Sequence, residues 1–169
     1  MMELVADSML SKLARWLRLG GISVEGVPYN EDDKIIRFVK RKKALLLTSD
    51  EQLAKRSNKR GFNALLVKEK DLDSQIAFVI SALGLKPTMP GMVCPVCNGR
   101  LVKVSKEEAK RLVPKRAYEM HKIFYRCESC GKIYWHGTHW KKIKERYKKV
   151  VKLADKFKSS RNWTSKLLQ

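Results

Sequence analysis

Two Cys-x-x-Cys pairs constrain the fold of this 169-residue chain more than any other feature. They read Cys94-Pro95-Val96-Cys97 and Cys127-Glu128-Ser129-Cys130, and a glycine, Gly99 or Gly131, follows each within two residues. This spacing turns two thiolates of one tight loop toward a single ion, and glycine eases the turn. Together the knuckles offer Cys94, Cys97, Cys127 and Cys130 as a tetrahedral sulfur shell, the donor set of structural Zn²⁺. A closed shell leaves no coordination position for substrate, so this zinc is expected to shape the chain and not to react. An iron site or redox dithiols are the alternatives, and neither needs both knuckles. The N-terminus has no signal-peptide pattern and no apolar run reaches about 18 residues, so a cytoplasmic protein that does not enter a membrane is expected. Four cysteines in such a chain read as metal ligands and not as disulfides.

The 29 residues between the pairs hold a strand-like run at 101–104 and a helical turn at 106–111. Residues 124–126 and 132–135 flank the second knuckle as a hairpin. A ribbon this small depends on its metal to fold. Ahead of it, Lys86-Pro87-Thr88-Met89-Pro90-Gly91 is rich in turn residues and reads as a linker.

Upstream of the linker, strand-like and helix-like patterns alternate. Leu4-Val5-Ala6, Ala44-Leu45-Leu46-Leu47-Thr48 and Ala64-Leu65-Leu66-Val67 are continuous apolar runs, as in buried parallel strands, and Ile22-Ser23-Val24 is a shorter candidate. Between them, Met9, Leu10, Leu13, Ala14, Trp16, Leu17 and Leu19 recur at helical spacing until Gly20-Gly21. Ile35, Ile36 and Val39 mark a second helix, a third follows Asp50, and Ile76, Val79, Ile80 and Leu83 mark a fourth. This order predicts an α/β domain with a mostly parallel sheet flanked by helices. The expected division is an α/β domain over 1–86, a linker over 87–91, a zinc ribbon over 92–140, and a basic amphipathic helix with a frayed tail over 141–169.

Ligands of parallel sheets bind beyond the carboxyl ends of the strands. Asp7 and Asp50 follow two of the apolar runs, and Asp32 or the adjacent Asp33 opens the second helix, with Asp32 on the side that faces the core. Three carboxylates converging there repel unless a cation joins them, and hard oxygen donors suit Mg²⁺ or Mn²⁺. A metal so held orients a water and neutralises a phosphodiester for in-line displacement. The plainer reading makes each aspartate a helix N-cap.

Charge points to the partner. The chain carries 37 Lys+Arg against 17 Asp+Glu, a net +20, and a protein that basic commonly meets a polyanion. Residues 141–169 alone hold 11 basic and 2 acidic side chains. There Ile143, Tyr147, Val150, Val151, Ala154 and Phe157 keep helical spacing while Lys141, Lys142, Lys148, Lys149 and Lys152 occupy the other face. Nucleic acid is the favoured partner over a membrane surface or plain solvation, and lysines favour phosphate over base edges. On the first helix Lys12 and Arg15 are placed to meet a phosphate above Asp7, or else form a solvated face. Trp16 reads as core before base platform, and His139 as a helix-start residue before phosphate contact.

Several motifs together carry a family resemblance. Residues 7–18, Asp-Ser-Met-Leu-Ser-Lys-Leu-Ala-Arg-Trp-Leu-Arg, resemble the opening of the Mut-seven C-terminal ribonuclease domain family, which belongs to the PIN-like group. Leu45-Leu46-Leu47-Thr48-Ser49-Asp50 resembles the Thr-x-Asp strand end of PIN domains, and Asp32-Asp33-Lys34-Ile35-Ile36 the acidic start of the intervening helix. Tyr134-Trp135-His136-Gly137-Thr138-His139-Trp140 resembles the motif that closes the family's zinc ribbon. Gly20 and Ser49 stand where the family commonly has Leu and Arg. The resemblance implies a PIN-like fold and a metal-dependent endoribonuclease with Asp7, Asp32 and Asp50 at its site. Glu69, Asp71 and Asp73 are nearby candidates for a further acid. The alternatives are a non-catalytic RNA-binding protein, for example one docked on ribosomal RNA, and a toxin-like nuclease, against which the attached ribbon argues.

Overall fold

A computed structural model of the protein describes residues 2–89 and 91–159. Four strands, β1 (Leu4–Ala6), β2 (Glu25–Gly26), β3 (Leu45–Thr48) and β4 (Ala64–Leu66), form one sheet in the order β2-β1-β3-β4, with every neighbouring pair parallel. Helices α1 (Ser11–Leu19), α2 (Asp32–Lys42) and α3 (Glu51–Lys59) make the crossovers, and α4 (Leu72–Ala82) follows the last strand. Parallel strands need such connections, which is why the apolar runs alternate with amphipathic segments.

The strands are apolar throughout because both faces are covered. Side chains alternate across a strand. Leu4, Ala6, Leu45, Leu47 and Leu65 therefore pack with α1 and α4, while Val5, Leu46 and Ala64 pack with Ile35, Ile36 and Val39 of α2 and Leu53 and Ala54 of α3. Val5, Leu46 and Leu47 are fully enclosed, and each such side chain contributes about 1.5–3 kcal/mol.

Two details differ from the expected pattern. The strand beside residue 22 lies at Glu25–Gly26, while Ile22 and Val24 are buried in the approach to it. Met9 is not core: Ser8–Leu10 is a 3₁₀ turn, which rotates Met9 outward to 69% exposure and starts α1 only at Ser11.

The ribbon has a second sheet, β5 (Leu101–Val104), β6 (Phe124–Cys127) and β7 (Ile133–Trp135), antiparallel in that order. Between β5 and β6 lie α5 (Lys106–Lys110) and α6 (Lys115–Met120), of which α6 has no expectation in the pattern above. The linker is strapped down. Thr88 N–H donates to the Gly20 carbonyl at 2.9 Å, and a Cβ at Gly91 would stand 2.5 Å from the Gly21 backbone.

The last helix, α7 (Thr138–Ser159), returns to the first domain. Tyr147, Val150 and Ala154 belong to the same core as α1 and α4, and Phe157 meets Phe78 edge to face at 6.1 Å. Arg146 pairs with Asp73 at 2.5 Å and lies over the Trp16 ring at 4.3 Å. Tyr147 Oη donates to the Trp16 carbonyl, and a Cβ on Gly20 would stand 2.5 Å from that hydroxyl. Glycine at position 20 thus makes room for the incoming ring. Val151, expected on the apolar face, is 40% exposed, and the tail expected to fray, 161–169, lies outside the described residues.

Candidate functional site

The four cysteines converge, with all sulfurs within 4.8 Å of one another. Cys94 Sγ lies 3.8 Å from Cys130 Sγ, and Cys97 Sγ lies 3.4 Å from Cys127 Sγ. A tetrahedron with Zn–S bonds of about 2.3 Å has sulfur–sulfur edges of about 3.8 Å, so the cluster fits a zinc ribbon. Burial raises the Cys94 pKa, but the hydrogen bond with Tyr134 Oη at 3.1 Å and the amides of the Cys94–Cys97 loop outweigh it and bring Cys94 to about 6. Burial and hydrogen bonds to the other sulfurs raise Cys97.

The first knuckle is clamped to the α/β domain by a residue that composition does not reveal. Arg18 is buried on α1, donating from Nε to the Val24 carbonyl at 2.7 Å and from Nη1 to the Val96 carbonyl at 3.1 Å. Asn98, at φ 66°, accepts through Oδ1 from Val24 N–H at 2.9 Å. Arg18 follows core Leu17 directly and core Ala14 by one helical turn, which is the one trace of its burial that the sequence carries.

At the carboxyl edge of the sheet, Asp7 follows β1 and is 4% exposed. Its Oδ1 accepts from Leu10 N–H at 3.1 Å, and its Oδ2 accepts from Thr48 Oγ1. Thr48 Oγ1 accepts in turn from Asp50 N–H at 3.0 Å, tying the ends of β1 and β3 together. Burial is the main cause of a raised Asp7 pKa, and the Asp50 charge adds to it while the hydrogen bonds oppose it. Asp50 caps α3, its Oδ1 accepting from Gln52 N–H at 2.8 Å and Leu53 N–H at 3.0 Å. Its Oδ2 accepts no hydrogen bond from a described residue. The cap and ligand readings of Asp50 are therefore compatible, because they use different oxygens.

Asp32 takes another arrangement. Arg56 on α3 bonds Asp32 Oδ2 at 2.6 Å and Asp33 Oδ1 at 2.9 Å, and Arg60 reaches Asp33 at 3.1 Å. Among the described residues, the four cysteines are the one group of three or more metal-ligating side chains with donor atoms within 4.8 Å of one another, so Asp7, Asp32 and Asp50 do not close on a common point at that spacing. Of the other acids, Asp71 caps α4 and Asp73 pairs with Arg146, while Glu69 has a raised pKa from burial and an enclosed Oε2 without a hydrogen bond.

A groove of about 1020 Å³ runs from Asp7 along α1 to the first knuckle, past Ser8, Lys12, Arg15 and Val96. Lys12 and Arg15 are exposed. The two basic residues and the buried acid thus line one groove. Lys141, Lys142, Lys148, Lys149 and Lys152 are all exposed on α7. No helix among the described residues is long and apolar enough to cross a membrane.

A family model described as Mut7-C RNAse domain matches residues 2–147, spanning both the sheet edge and the ribbon. Neither the curated proteins nor the solved structures contain a match to the chain.

Proposed function

The chain belongs to the Mut7-C RNAse domain family, and from that premise we propose that it is a metal-dependent endoribonuclease of PIN-like type whose zinc ribbon and basic helix grip RNA. The observation that carries this reading is the buried Asp7 carboxylate, held beside Asp50 at the strand ends and opening onto a groove that also holds Lys12 and Arg15. Burying a carboxylate without a salt-bridge partner is costly. A fold keeps such a group where a bound cation or substrate offsets the cost.

The donor set suits Mg²⁺ or Mn²⁺: hard oxygens, with one Asp50 oxygen unengaged. Such an ion, when bound, polarises the scissile phosphate and orients the attacking water. Thr48 and Leu10 N–H orient Asp7, and the α3 N-terminus orients Asp50. Lys12 and Arg15 hold the flanking phosphates. Asp32 would join the set only by leaving Arg56. Cys94, Cys97, Cys127 and Cys130 hold a structural Zn²⁺, and a reducing cytoplasmic location suits these unbridged thiols.

Asp50→Asn and Asp7→Asn are each expected to abolish Mn²⁺-dependent cleavage of RNA while leaving binding in place, with losses that do not add. Equal cleavage by the wild type and both variants, or none by any, removes the nuclease reading. The Arg56–Asp32 pair favours a second reading, an RNA-binding protein without cleavage, docked for instance on ribosomal RNA, because a neutralised third acid weakens a cation site.

A further inference from the structure

The acidic edge leaves a second cleft unused. Between α1, the ribbon hairpin and the start of α7 lies a cavity of about 280 Å³ lined by Arg15, Tyr125, Tyr134, His136, His139 and Trp140, among others. Ligand pockets run from about 300 Å³ upward, so this one admits a single flat ring system and little more. Rings form one part of its wall, and aliphatic side chains such as Leu19, Leu101 and Ile143 form another. His136 stacks on Trp140 with centroids 4.7 Å apart and an interplanar angle of 16°, and Tyr125 leans on His136 at 5.5 Å. Burial, then the charges of Lys144 and His121, lower the His136 pKa and so favour the neutral ring. The Trp140 indole N–H is enclosed and donates to no described residue.

Position joins this cleft to the proposed site. Arg15 lines both the aromatic cavity and the acidic groove, so the two lie on either side of one cationic side chain. A nucleotide offers the matching pair of groups, a flat base and an adjoining phosphate. The net charge of +20 adds a general attraction for the phosphate chain.

We propose that this cleft takes one unstacked base of single-stranded RNA, with Arg15 on the adjoining phosphate, so that the next phosphodiester lies along the groove toward Asp7. The inference rests on the RNA-binding part of the preceding reading. A paired base cannot leave its stack without cost, so the cleft selects single strands, loops and bulges over duplex. Aromatic faces accept every base, so it reads unstacking and not sequence. The Tyr134–Trp140 segment then supplies both a wall of the cleft and, through Tyr134, a bond to Cys94, and the metal-dependent ribbon holds the cleft in shape.

The test uses the full, zinc-loaded chain without added Mg²⁺ or Mn²⁺, and single-stranded oligoribonucleotides carrying 2-aminopurine at successive positions. One position is expected to be quenched on binding. An abasic nucleotide at that position should weaken binding by about 5- to 150-fold, the range for one base–aromatic stack. Trp140→Leu should remove the quench, weaken the intact RNA by a similar factor and cost nothing more on the abasic RNA, whereas Trp140→Phe should retain both. Absence of a quenched position in the wild type overturns the proposal. So does a Trp140→Leu protein with full zinc content that binds intact RNA like the wild type. Should that variant lose its zinc, the wild-type scan decides alone. Cleavage is a separate readout: quenching without cleavage keeps the cleft and removes the nuclease, and cleavage without quenching does the reverse.

Discussion

Replacing Arg18 by methionine keeps an unbranched stem in the same slot and removes the guanidinium that joins the two halves of the protein. Two of its hydrogen bonds are short enough to count, to Val24 O at 2.7 Å and Val96 O at 3.1 Å. The contact to Pro95 O at 3.4 Å falls outside the usual range. A bond from a charged donor contributes about 1.5–3 kcal/mol, so the pair contributes about 3–6 kcal/mol. Against this stands the desolvation of Arg18, a residue only 7% exposed, which also lowers its pKa and which the methionine variant escapes. The expected net loss is about 2–4 kcal/mol once that desolvation is recovered. For a chain of this size each kcal/mol moves the melting temperature by about 2–4 °C, so Arg18→Met should melt about 5–15 °C lower. Arg18→Lys should lose about half as much, because one ammonium cannot serve both carbonyls with the fork geometry. Thermal unfolding of the zinc-loaded proteins, followed by circular dichroism, measures both. A shift under about 2 °C for the methionine variant would refute the clamp and leave the ribbon docked by the Gly21–Gly91 approach and Asn98 alone.

Three further outcomes are expected. Asp7→Asn should raise the melting temperature at pH 7 in divalent-free buffer: burial raises the native Asp7 pKa, so stability is complete below the ordinary value of 3.8 and falls as pH rises through the native one. The gain from Asn should vanish near pH 3, and a variant no more stable than wild type at pH 7 would contradict it. Changing Lys148, Lys149 and Lys152 together to Gln should lower the log–log salt slope of RNA binding by about 2, at about 0.7 per phosphate, with an unchanged fold because all three are exposed; an unchanged slope excludes this face from the RNA contact. Arg56→Gln frees Asp32, so the Mn²⁺ concentration giving half-maximal cleavage should fall, and a value unchanged or higher would contradict a part for Asp32 in holding the ion.

Periodicity and spacing sufficed for the α/β order, the buried strands and the four-sulfur cluster, because each depends on local patterns. A strand covered on both faces must be apolar along its length, as residues 45–48 are, and a Cys-x-x-Cys turn points two sulfurs together wherever it sits. The ends of β1 and β3 likewise located Asp7 and Asp50, since a residue just past a parallel strand has one edge to occupy. Only the tertiary structure decided what depends on distant segments meeting. Asp32 opens its helix as the pattern predicted, yet Arg56, 24 residues on, takes its charge. Arg18 resembles any surface arginine of an amphipathic helix until the knuckle 78 residues away supplies its carbonyl. The lysine-rich helix shows an apolar face in its sequence, but which core that face joins is decided only where Tyr147 reaches the space left by Gly20 and makes α7 part of the first core. Hydrophobic pattern records which face of an element is buried, and the partner that buries it is set by chain geometry over distances that no local window spans.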